Sequence, residues 1–422
     1  MTAAGRILAY FDRRISPIVV KELRQAVRSR FIVGMFLFFL GVELLIVGLY
    51  LLAEPTAAQS MTGGSGLAAW LYGLLTFVCV ILVPAYSGIR LAWERSGVQS
   101  DLLFTTTISA GSIIRGKLLT AVILIALLYS AFAPFIVLTY LLRGVDLLEI
   151  AMALGLTFIY GMAASQFALL LGSVQTGTLG KVFMGLFALG AIIGAPIVLA
   201  VLTFTVSLGG PGPVYGGSPN MWAVQGTFAA ITLAGTGFLY TLSVALLMPP
   251  SANRMRPVRL YLTALWLVLL GGAVLWWVLG DADEFVMAWA FVFESLFVIV
   301  MLIAVSERET LGTRVRRHIP RRILPRMLAF LTTSGAAGGL TWAVLMSALT
   351  LVVIALLHDG FGALSVPEAT DTLLGVGGLA LYGLAYSLTA LVLRRLFLSK
   401  RLRLPPQHTW LLALALAMIG SL

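Results

Sequence analysis

The sequence predicts an all-α fold: a polytopic α-helical integral membrane protein of about ten transmembrane helices, with an N-terminal interfacial helix ahead of them. Three observations carry this. The 422 residues are 60% hydrophobic and only 11% charged, and the mean hydropathy is +1.02, so water does not solvate such a chain as a soluble fold. The apolar residues gather in runs near the roughly 20 residues that one bilayer crossing needs. The cations fall in alternate loops. Nearly all of the hydrophobic share is used by the spans, which leaves little for a folded domain outside the membrane, so a catalytic domain is expected on another chain.

The apolar runs lie at 31–53, 67–89, 118–142, 149–172, 182–206, 223–247, 260–280, 285–305, 336–357 and 372–393. No cleavable signal peptide is expected, because seven basic residues precede the first run and no small-residue cleavage site follows it. Of the 28 Lys and Arg, 27 fall in one set of alternating segments and one, Arg143, in the other. Cations are retained on the cytoplasmic side during insertion, so the N-terminus is expected in the cytoplasm of a multi-pass protein of the plasma (cell inner) membrane. A missed or invented span early in the chain would have mixed the two sets. This placement also answers the net charge of +11: the cations lie beside the lipid bilayer, and no nucleic acid partner is implied. Cys79, the one cysteine, sits in an apolar run, which excludes disulfides and thiolate metal sites.

The expected organisation follows from these spans. Residues 1–30 form a cytoplasmic N-terminus with an amphipathic helix, and 31–248 a six-span bundle with a large loop at 90–117. Pro249-Pro250 opens a linker-like stretch at 249–259, and 260–408 hold four further spans with basic loops. The tail 409–422 is apolar, but its fourteen residues reach only about 21 Å at 1.5 Å rise, short of a core about 30 Å thick. It reads as a partial insertion or the start of an eleventh span.

Two segments have more content than topology requires. In VKELRQAVRSR, Val20 to Arg30, Ser16 is placed as a cap and Pro17 at the first helical position. Val19, Val20, Leu23, Ala26, Val27 and Phe31 fill one arc, and Lys21, Glu22, Arg24, Gln25, Arg28 and Ser29 the other. Such a helix lies along the membrane surface, either as a plain anchor or as an element that a cytoplasmic partner pushes. The second segment, Glu94 to Lys117, joins an acidic-basic start, flexible Gly97, Asp101 in a first helical turn, the apolar Leu102-Leu103-Phe104, a threonine run and Ser109 as the next cap. Its apolar triplet needs cover from lipid headgroups or from a partner protein.

VKELRQAVRSR before the first span, and DLLFTTTIS followed by IIRGK after the second, resemble the permease subunits of type 2 ATP-binding-cassette (ABC) transporters. The first element is similar to that family's interfacial elbow helix and the second to its coupling segment. The likeness covers roughly residues 15 to 247, and it departs from the family at Thr107, where proline is common, and by one extra residue between Gly97 and Asp101. It implies a separate cytoplasmic ABC ATPase subunit, contacted by Glu94, Arg95, Gly97, Asp101, Thr105 and Thr106 with Lys21, Glu22 and Arg24 nearby, and a second permease copy or a related permease. ATP and Mg are implied on the partner subunit. No cofactor, metal or catalytic residue is expected on this chain, which reads as a transporter subunit and not an enzyme. Export is the commoner direction in the family.

Ser306 to Arg322 repeats an acidic-basic pair and a glycine, so Glu307, Arg308 and Gly312 form a possible second cytoplasmic contact, beside a reading as a basic topology signal. Gly111 to Lys117 has phosphate-loop spacing, but Leu118 replaces the hydroxyl residue and no strand precedes it, so nucleotide binding is not expected there. Glu43 and Glu294 lie within spans, where a charge costs about 3 kcal/mol on insertion scales; each either joins helices or lines a pathway. They define the alternative function, an ion-coupled secondary transporter, and a non-transport membrane scaffold is the remaining one. His318, His358 and His408 have no metal-ligand spacing.

Overall fold

A computed structural model describes residues 17–53, 63–96, 109–142, 147–174, 219–249, 252–280, 284–307, 319–361 and 366–393, with 313, 317 and 416. Every regular element among the described residues is a helix, with no strand, and nine of these helices are long and apolar enough to cross a membrane. The chain is thus a polytopic α-helical membrane protein. Nine of the ten expected spans coincide with these helices; the fifth, 182–206, the loop core 97–108 and the tail, except Leu416, lie outside the described residues.

The chain divides into two units, Met1–Leu247 and Met248–Leu422. The first contains α1 (Pro17–Val27), α2 (Arg30–Ala53), α3 (Gly63–Phe77), α4 (Val83–Ser96), α5 (Ala110–Leu141), α6 (Leu147–Ser173) and α7 (Pro219–Leu247). A π-helical turn, Val78–Leu82, makes α3 and α4 one continuous span. The Val83 N–H donates to the Val78 carbonyl, five residues back. Pro84 follows at once, and its ring and missing N–H conflict with regular α-helix, so the wider turn is the local response. Helices α4 and α6 approach closely where side chains are absent. A Cβ on Gly88 would lie 2.7 Å from the Ala168 carbonyl oxygen, and one on Gly172 would strike the carbonyl oxygen of Gly88. Tyr72 and Tyr129 donate to the carbonyls of Ile150 (3.1 Å) and Leu154 (2.9 Å), and Gln166 to Ser243 (2.9 Å), so these three side chains join neighbouring helices through hydrogen bonds inside the bundle.

The second unit contains α8 (Arg256–Gly280), α9 (Glu284–Ala304), α10 (Ile323–Thr332), α11 (Ala336–Phe361) and α12 (Val366–Leu393). A chain of rings, Trp266, Trp289, Phe293, Phe297 and Trp342, joins α8, α9 and α11 with centroids 5.3 to 6.0 Å apart. The indole N–H groups find acceptors at Thr350, the Trp266 carbonyl and Thr263. Gly375 and Gly383 let α12 close on Phe291 and Val298 of α9.

Three places differ from the sequence expectation. The loop expected at 90–117 is helical at 90–96 and 110–117, because α4 and α5 continue past their apolar runs to Ser96 and from Ala110. Helix α1 runs from Pro17 to Val27, not on to Arg30. Ser29 donates back to the Ala26 carbonyl, and its own carbonyl accepts from Val33, so Ser29 caps α2 and the chain turns there from one helix into the next. Helix α10 occupies a stretch given no element from sequence. It is too short for a span, and Pro325 together with the arginines before it hides its apolar arc.

Candidate functional site

Helix α1 rests on α5 at Gly116: a Cβ there would lie 2.7 Å from the Ile18 methyl group, so the missing side chain permits the seat. The next residue, Lys117, is 4% exposed, and its chain ends between two carboxylates. Nζ lies 3.1 Å from Glu22 Oε1 on α1 and 2.7 Å from Glu94 Oε2 on α4. Arg90, one turn before Glu94, places Nε 3.3 Å from Glu22 and 3.5 Å from Glu94. Its guanidinium also donates to Gln25 and, at 2.6 Å, to the Tyr86 hydroxyl, whose ring stacks on Phe31 of α2.

Glu22, Arg90, Glu94 and Lys117 therefore form one neutral cluster of two carboxylates and two cations. It joins α1 to both flanks of residues 97–108, because Glu94 precedes that stretch and Lys117 follows it. A narrow cleft bordered by Ser87, Thr120 and Leu124 opens onto the cluster. Exposed ion pairs contribute about 0 to 1 kcal/mol, but Glu22 and Lys117 are largely removed from water, so removing either leaves a buried charge with one partner fewer, at a cost of up to about 3 kcal/mol. Ser109, the first described residue after Ser96, caps α5 by accepting from the Ser112 N–H, as its position predicts. Residues 111–117 are helical, not a phosphate-cradling loop.

The expected site residues separate into several places. Glu22, assigned to the polar arc of α1, turns inward: Val19, Glu22 and Ala26 make the buried face, while Val20 and Val27 are exposed. Lys21 and Arg24 are exposed on α1, and Arg95 is half-buried at the end of α4. Gly97, Asp101, Thr105, Thr106, Arg308 and Gly312 lie outside the described residues. Arg90 and Tyr86 do not figure in the sequence reading, and Lys117 and Gln25 enter it only as members of their segments, not as site residues. The Arg90-Glu94 spacing of four was a readable signal; the Glu22-Lys117 contact, 95 residues apart, was not.

Glu307 belongs to a second buried constellation. Arg259, 1% exposed on α8, donates to the carbonyls of Leu331 (3.0 Å) and Thr333 (2.6 Å) at the end of α10 and to Glu307 Oε2 (2.5 Å). The Gly335 N–H donates to the same carboxylate at 2.8 Å. Burial pushes the Glu307 carboxyl above its ordinary value, and the guanidinium and this N–H pull the other way. Of the two carboxylates within spans, both buried, Glu294 accepts from Ser347 at 2.8 Å, and Glu43 has no hydrogen-bond partner among the described residues. No group of three or more His, Cys, Asp or Glu fit to hold a metal occurs among the described residues. No known protein family, curated protein or solved structure matches the chain.

Proposed function

We propose that this chain is the membrane-spanning permease subunit of an ABC transporter, carrying substrate across the cell (inner) membrane, in the export direction, with ATP and Mg bound and hydrolysed on a separate cytoplasmic ATPase subunit. A second copy of the chain, or a related permease, completes the pathway opposite two ATPases. The observation that carries this reading is the four-charge cluster: a push on residues 97–108 reaches Glu94 on one side and Lys117 on the other, and through both reaches Glu22 and α1. A passive topology signal needs no such joint. Differential ATPase contact with two arrangements of this joint would supply the energy for switching between inward-facing and outward-facing states.

The test is recovery of an ATPase with the full-length chain extracted from its own membrane. Replacing Asp101 and Leu102 to Phe104 is expected to abolish that association while the chain still folds; an unchanged association removes these residues as the docking surface. A second reading, ion-coupled transport, draws on Glu43, buried with neither oxygen hydrogen-bonded among the described residues. Replacing Glu43 and Glu294 with Gln would then abolish dependence of transport on a pH gradient, and unchanged transport removes that reading.

A further inference from the structure

Helix α10 buries none of its residues. At 100° per residue, Phe330, Ile323, Met327, Leu331, Leu324 and Leu328 fill an arc of about 160°. Ile323, Leu324, Met327 and Leu328 are 61 to 77% exposed. Its one firm attachment is its C-terminal end, where Arg259 holds the last carbonyls and Asn253 accepts from the Ser334 N–H at 3.0 Å. Gly338 gives that end a seat, since a Cβ there would lie 2.5 Å from the Phe330 carbonyl oxygen. Gly335, at φ 155°, turns the chain into α11 with a backbone that favours glycine. Only Thr333 to Gly335 separate α10 from that span. Three residues reach about 10 Å, so the anchored end is confined to the bilayer surface. The charges fit the same place: six arginines and no acidic residue occur between 310 and 340. Arg317, Arg321, Arg322 and Arg326 are exposed and pair with no carboxylate among the described residues.

We propose that α10 is an interfacial helix that binds anionic phospholipid. Its apolar arc enters the boundary between headgroups and acyl chains, and the exposed arginines hold headgroup phosphates. Arg259 is a positioning residue that fixes the anchored end. The ligand is a lipid surface, not soluble phosphate, because an apolar arc this wide needs acyl chains to cover it. The inference rests on α10 alone and stands apart from the transport reading.

Spin labels attached to Leu324→Cys and Met327→Cys in the full-length chain test it, since the native Cys79 is buried. The chain is reconstituted in phosphatidylcholine vesicles with and without phosphatidylglycerol. Both labels are expected to collide with oxygen more than with a water-soluble nickel chelate, and to move deeper when phosphatidylglycerol is present. Changing Arg321, Arg322 and Arg326 together to Gln is expected to abolish that added depth. Arg259→Met is expected to raise label mobility. Free access of the chelate to both labels overturns the proposal, as does shielding from both reagents, which would mean protein cover. A depth indifferent to phosphatidylglycerol also overturns it.

Discussion

Helices α1 and α10 are both short, amphipathic and set just ahead of a span, yet their charges are settled in opposite ways. Helix α1 buries Val19, Glu22 and Ala26 against the protein and hands its carboxylate to Lys117 and Arg90. Helix α10 buries nothing and leaves its arginine without a carboxylate among the described residues. The alternation of polar and apolar residues is alike in the two and does not decide which packs on protein. What decides is the opposing surface: a glycine seat beneath the first turn of α1 followed by buried contacts at Glu22 and Ala26, against a seat beneath only the last turn of α10.

The largest expected effect breaks the α1 side of this contrast. Lys117→Met leaves Glu22 and Glu94 facing each other with one cation fewer, and about 3 kcal/mol of stability should go with it. A fall of several degrees in the melting point of the detergent-purified chain, followed by tryptophan fluorescence, would register this. An unchanged melting point would mean that the cluster does not hold α1. Gly116→Val comes next. Its added methyls overlap Ile18, and the overpacking should cost about 1 to 3 kcal/mol while releasing α1, read as faster proteolysis between residues 17 and 29. Arg326→Gln should change stability by under about 0.5 kcal/mol, because its side chain meets only solvent or lipid. A large loss there would place a carboxylate against α10 and erase the contrast.

Most of the fold was legible because a span announces itself locally: some twenty apolar residues bounded by charge need no knowledge of the rest of the chain. The Ser109 cap and the Ser29 break are local too, although Ser29 was read as part of the helix it ends. The site was less legible. Glu22 has a charged neighbour at Lys21 and a polar one at Gln25, so periodicity alone turned it outward, and its true partner is 95 residues away. Helix α10 was missed for the converse reason: six arginines explain themselves as a topology signal and drew attention from the apolar arc beside them. Arg259 gave no local warning, since its acceptors are two backbone carbonyls more than 70 residues distant and the Glu307 carboxylate, 48 residues away.

The claim on which the mechanism rests is that Glu22 and Lys117 act as one joint between α1 and the loop flank. A double-mutant cycle on the melting point, with Glu22→Gln, Lys117→Met and both together, measures it directly. The double variant should lose clearly less than the sum of the two single losses, with a coupling of about 1 kcal/mol or more. Losses that simply add would show two independent side chains, and the joint would not exist.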